Sequence, residues 1–217
     1  MPSFNVHHFL FLLESTVWTV VLSLAAFAGG GVLGFLVALA RISPIRWLRY
    51  GAIAYVQVVQ GIPLLILMFV VYFGAIIAGW RNVPVLAAAS LAIIVYASAF
   101  LGEIWRGCIQ SVAKTQWEAA ECLGLTRWQR MTRVILPQAM RIATPPTVGF
   151  LVQIIKNTSL ASAIGLVELA QAGKLINNST FQPFLVFVLV AAIYFALCYP
   201  LSLWSRSLER KLNVGRR

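Results

Sequence analysis

Glu118-Ala119-Ala120-Glu121-Cys122-Leu123-Gly124, followed by nine residues and then Val134-Ile135-Leu136-Pro137, is a polar, helix-forming stretch set between long apolar runs. Its punctuation is local and chemical. Thr115-Gln116-Trp117-Glu118 fits a capping box, in which the threonine hydroxyl accepts the Glu118 amide and the glutamate reaches back. Ala119, Ala120 and Leu123 favour helix. Gly124 stands where a left-handed C-terminal cap is needed. Thr126-Arg127-Trp128-Gln129 is a second capping box, and Pro137 is expected to disrupt the helix that it opens. The segment from about 115 to 137 therefore reads as two short helices at an angle, with Gly124 at the corner.

Outward from this stretch the chain is apolar. Of 217 residues, 60% are hydrophobic and 11% charged. A soluble domain of this size could not hide that much apolar surface, so the surrounding solvent is a bilayer. About 20 apolar residues cross it, and five runs qualify, at about 15–40, 50–79, 84–106, 142–167 and 183–204. The fold class is all-α, a single membrane domain over 1–217. The quoted segment lies between spans three and four, and a basic tail closes the chain from about 205 to 217. The first run is too long for a signal-peptide core and no basic region precedes it, so no cleavable signal is expected.

Positive charge sets orientation. All but three of the 17 cations (Arg81, Lys156 and Lys174) fall on one side of the five runs. That side is read as cytoplasmic, which places the N-terminus outside and the C-terminus inside. The net charge of +11 is then a topology signal with lipid-headgroup contact, and no nucleic-acid partner is expected. Six acidic residues, none of them aspartate, leave little for paired-carboxylate or metal chemistry. Neither H-E-x-x-H nor G-x-S-x-G occurs, so the chain is not expected to be an enzyme. Cys108, Cys122 and Cys198 lack metal spacing and read as small apolar filler.

Polar residues at membrane depth face a partner or a water-filled path. Lys156-Asn157-Thr158-Ser159 interrupts span four. Glu103 in span three shares a helix face with Arg106. Gln57 and Gln60 precede a break at Gly61 and Pro63. The candidate path for a polar solute is Gln60, Glu103, Lys156, Asn157, Thr158 and Ser159. Against this stand an ion pair between Glu103 and Arg106, and a buried Lys156 held by Glu103 or by backbone carbonyls. Gly30 and Gly34 have a G-x-x-x-G spacing, suited to a dimer face or to close packing within one chain. Trp18, Trp80, Trp105 and Trp204 are placed as interfacial anchors, and Pro145-Pro146 as a kink.

The Glu-Ala-Ala…Gly…Val-Ile-Leu-Pro spacing resembles the coupling motif of importer-type ABC transporter permeases, with Val134 where isoleucine is usual. Gln60-Gly61-Ile62-Pro63, Gly102-Glu103-Ile104-Trp105-Arg106-Gly107 and Lys156-Asn157-Thr158-Ser159-Leu160 resemble the polar amino-acid branch of that family. The resemblance implies an inner-membrane subunit whose two short helices seat in a cytoplasmic ATPase. Glu118, Ala119, Ala120, Gly124 and Pro137 would be the ATPase-coupling positions. It implies two ATP-binding subunits, a second identical or related permease and an extracytoplasmic solute-binding protein. ATP and Mg would be held by the ATPases, since this chain has no phosphate loop and no cofactor of its own. Members often carry Asp at Asn157 and Arg at Gln60, and these departures tilt the expected solute toward neutral or acidic amino acids. The rival reading is an ATP-independent secondary transporter or channel for small polar solutes.

Overall fold

The computed structural model describes residues 4–214, so Arg216 and Arg217 of the basic tail lie outside the described residues. All regular elements in it are helical. In chain order they are α1 (Val6–Ile42), α2 (Arg46–Gly61), α3 (Leu64–Ile77), α4 (Val85–Gln110), α5 (Lys114–Cys122), α6 (Arg127–Gln129), a π-helical stretch (Arg130–Ile135), α7 (Leu136–Asn157), a 3-10 stretch (Thr158–Ile164), α8 (Leu169–Thr180) and α9 (Pro183–Val214).

Four helices are long and apolar enough to cross a membrane: α1, α4, the continuous run from α6 through α7, and α9. The fifth span is the pair α2 and α3, bent by 102°. The sequence predicts a break at Gly61 and Pro63. The structure turns it into a sharp corner, because Pro63 offers no N–H to continue α2 and restricts the residue before it.

Span one pairs with span three through small residues. A Cβ on Gly30 would lie 2.5 Å from the Ala97 Cβ, and one on Gly34 would lie 3.0 Å from the Leu101 Cβ. The G-x-x-x-G spacing is thus used within the chain, where missing side chains let α1 and α4 approach closely. Around this seam Leu22, Met68, Ile93, Leu101, Phe150 and Ile154 form the main core. Rings of Tyr96, Phe100 and Phe150 stack across α4 and α7. A second core joins the start of α1 to α8 and α9 through Leu12, Leu169, Ile176 and Val186.

Several local expectations are corrected. Thr115 does not cap α5, whose N-cap is Ala113 without a side-chain bond. Val112 is buried against Ile109, Ile135 and Ala139, which fixes the turn after α4 and starts the helix early. Glu118 instead pairs with Lys114 at 3.2 Å. Pro137 does not end its helix. It follows a π-helical stretch, where the wider turn absorbs the carbonyl that a proline leaves unpaired. The second of the two helices is accordingly not short but continues to Asn157, passing Pro145 and Pro146 without interruption. Trp105 is a latch rather than a lipid anchor, since its Nε1 donates to Thr147 Oγ1 at 2.9 Å. Cys108 and Cys198 are buried as filler should be, but Cys122 is exposed.

Candidate functional site

The loop between spans three and four is built as a stiff corner. Gly124 has φ +71°, in the left-handed region that costs a side-chain-bearing residue most. Around it the Leu125 N–H donates to the Ala120 carbonyl at 3.2 Å and the Gly124 N–H to the Glu121 carbonyl at 2.9 Å. These two bonds are the pair that closes a Schellman cap. Two residues on, the Thr126 hydroxyl accepts the Gln129 N–H and the Gln129 side chain accepts the Thr126 N–H, as the second capping box requires.

Side chains then tie α5 to the long helix. Arg130 donates to Glu121 at 2.8 Å, and Gln138 Nε2 donates to Gln116 Oε1 at 3.1 Å. Ala120 is buried beneath α5, and Trp117 packs on the cluster of Ile109, Val112, Ile135 and Ala139. Glu118, Ala119 and Gly124 remain exposed, as does Pro137 at the foot of α7. Beside the corner Leu123 is 79% and Trp128 76% exposed. Both are large apolar side chains left bare on an otherwise polar loop. Sequence reasoning does not single out either one, although both stand within four residues of Gly124.

The other candidates sit on the membrane helices. At Asn157 the α-helix tightens to 3-10 geometry, ending at Gly165 with φ +89°. Lys156 is exposed and, among the described residues, makes no ion pair, so the alternative of a buried lysine paired to Glu103 is not what forms. Asn157 accepts from Gln153 Nε2 at 3.1 Å. Ser159 is half-buried, its hydroxyl on the Lys156 carbonyl. Thr158 is fully buried and bonds the Ile155 carbonyl. Gln60 is exposed at the end of α2 and approaches the Ala99 carbonyl at 3.5 Å.

Glu103 is held differently. Arg41, at the end of α1, donates to it at 2.9 Å, and Arg106 chelates it from one helical turn away. The antiparallel register set by Trp105–Thr147 and Phe100–Phe150 puts Tyr96 level with Lys156. Gln60 meets α4 three residues from Tyr96, ~4.5 Å in depth. Glu103 is seven residues from Tyr96, so it lies about 10 Å nearer the loop end. Gln60 thus lies within ~4.5 Å of Lys156 in depth, while Glu103 belongs to a separate ionic cluster with Arg41 and Arg106.

One buried acid is missed by sequence reasoning. Glu168 is wholly buried at the N-cap of α8. Its carboxylate accepts the N–H groups of Ala170 at 3.0 Å and Gln171 at 2.9 Å, and the Tyr194 hydroxyl at 2.8 Å. Thr19 of α1 reaches it at 3.4 Å and accepts the Leu169 N–H at 3.2 Å. The helix N-terminus supplies the positive end that such a charge needs. A lone acid in the apolar run Leu166-Val167-Glu168-Leu169 is the available signal.

The family model described as "Binding-protein-dependent transport system inner membrane component" matches residues 30–214. The probable amino-acid ABC transporter permease protein YckA of Bacillus subtilis (strain 168) is 36% identical over 206 residues, covering 95% of this chain and 91% of that protein. The probable glutamine ABC transporter permease protein GlnM of the same organism is 38% identical, covering 95% of both. Among solved structures, a chain from a crystal structure of an amino acid ABC transporter with histidines superposes with TM-score 0.90 at 30% identity, covering 95% of this chain and 96% of that one.

Proposed function

The chain belongs to the family of binding-protein-dependent transport system inner membrane components, and from that premise we propose that it is the membrane subunit of an ATP-driven importer of polar amino acids. Two such subunits, identical or related, enclose a path between them, because Lys156, Gln153 and Gln60 face outward from a single chain at membrane depth. Polar groups there need an aqueous path or a second subunit. Two cytoplasmic ATPase subunits bind ATP and Mg and seat on α5, gripping the exposed Glu118 edge with Leu123 and Trp128. A solute-binding protein delivers cargo to the opposite face. The charge asymmetry supports an orientation with the N-terminus outside and the loop in the cytoplasm.

The observation that carries this reading is mechanical. The Gly124 corner is capped on both sides, α5 is cross-tied to the next helix, and that helix runs unbroken from Arg127 to Asn157. A push on α5 therefore arrives at Lys156–Ser159 as a rigid-body displacement, and alternating access follows from two such levers. Lys156, with the uncharged Asn157 beside it, suits the carboxylate of a neutral or acidic amino acid.

Uptake into proteoliposomes holding the complete complex, its binding protein and ATP tests this, with labelled acidic, neutral and basic amino acids as the panel. ATP-dependent uptake of the neutral or acidic class is expected. Uptake driven by an ion gradient without ATP would replace this reading with that of a secondary transporter.

A further inference from the structure

Arg141 lines two cavities at the loop end of the membrane helices. One, about 740 Å³, lies between α1, α4 and α7 and is walled by Phe35, Leu39, Trp105, Met140 and Val148. Apart from Arg141, its few polar groups are already used: Thr144 and Thr147 donate to the carbonyls of Met140 and Ala143, and Trp105 to Thr147. The other, about 520 Å³, lies between α7 and α9 and holds Gln138, Ser205 and Glu209. Ser205 Oγ donates to the Pro145 carbonyl at 2.8 Å, which fixes the register of these antiparallel helices. Arg141, four residues before Pro145, is thereby level with Glu209, four residues after Ser205. Among the described residues the two make no ion pair, although they border one cavity and both are exposed.

We infer that this pair of cavities is a binding site for a zwitterionic phospholipid with a primary ammonium headgroup. Arg141 takes the phosphate, which a guanidinium matches through paired N–H donors. Glu209 accepts the ammonium in the polar cavity. An acyl chain fills the apolar one, which runs from Leu136 to Val148 along α7, about 18 Å and close to half the hydrocarbon thickness of a bilayer. The Arg141 side chain leans toward the helix N-terminus, which is the membrane surface here. Two opposite charges held apart at one level match a zwitterion better than an anion. A groove without free hydrogen-bonding groups suits a hydrocarbon chain, whereas an unwound peptide would need partners for its backbone.

The test is photolabelling of the full-length chain, purified with whatever subunits accompany it and placed in phosphatidylcholine nanodiscs. The probes are phosphatidylethanolamine and phosphatidylglycerol, each with a diazirine in the acyl chain, and labelled peptides are mapped by mass spectrometry. The ethanolamine probe is expected to label residues 136–148 in preference to the glycerol probe. Arg141→Gln should lower labelling by both about tenfold, the loss of one charge-assisted contact. Glu209→Gln should lower it for the ethanolamine probe alone. Equal labelling by the two probes in the unsubstituted chain would overturn the inference without recourse to any variant. So would variants that label like the parent, or a groove that cross-links instead to a second copy or an accompanying subunit.

Discussion

The Leu125 N–H closes onto the Ala120 carbonyl at 3.2 Å across Gly124, whose φ is +71°. With the Gly124 N–H on the Glu121 carbonyl, this bond caps α5 at the corner with the helix that enters the membrane. No atom lies within 4 Å of where a Gly124 side chain would begin, so a substitution there strains the backbone without a clash.

Gly124→Val should therefore weaken the corner by roughly 1–2 kcal/mol, the left-handed penalty for a side-chain-bearing residue, while Gly124→Asn should cost much less because asparagine tolerates that region. Uptake coupled to ATP is expected to fall in the order glycine, asparagine, valine, with membrane insertion unchanged. Equal uptake by the valine and asparagine forms would contradict a role for the turn.

The α1–α4 seam makes a reciprocal prediction. Gly30→Ala puts a methyl group 2.5 Å from the Ala97 Cβ, an overlap expected to cost about 1–3 kcal/mol. Ala97→Gly in the same chain should restore most of the loss, measured as melting temperature in detergent, because the two positions share one contact. Independent, additive effects would show that the seam is not where the helices touch.

Legibility in the sequence depends on the range of the interactions. Gly124 and Thr126 act on neighbours within five residues, and local sequence is enough to place both. Pro137 is deceptive, because the missing N–H is absorbed by a π-helical stretch whose geometry leaves no composition signal. Thr115 loses its cap to the burial of Val112, which is decided by Ile135 and Ala139 more than twenty residues away. The five spans are visible in hydropathy, but the corner of 102° at Pro63 shows in sequence only as a break. Lys156 stands out as a charge in an apolar run. Glu168 stands in such a run too, but its role is not legible there, because its partners Thr19 and Tyr194 come from the first and last spans.

Glu168 joins α1, α8 and α9 at one buried point. Glu168→Ala leaves two helix N–H groups and the Tyr194 hydroxyl without an acceptor, a loss of about 2–3 kcal/mol. The apparent melting temperature should drop by about 5 °C or more, and Glu168→Gln, which keeps one acceptor oxygen, should lie between. A Glu168→Ala protein that melts with the parent would refute the structural role.

Asn157 lies beside Lys156 at the point where α7 tightens. Asn157→Asp adds a negative charge to the proposed path. The ratio of basic to acidic amino acid taken up should rise by about tenfold, the effect of one close charge pair worth roughly 1.4 kcal/mol. An unchanged ratio would remove Asn157 from the account of selectivity.

The most direct test of the central claim follows Lys156→Cys in a chain whose exposed Cys122 is replaced by serine, assembled with its ATPase and binding protein in proteoliposomes. A membrane-impermeant thiol reagent is applied from one side, with and without ATP. ATP is expected to switch the side from which the introduced thiol is modified, and Gly124→Val to abolish the switch. A modification rate indifferent to ATP on both sides, with the corner intact, would contradict the lever from α5 to the membrane path.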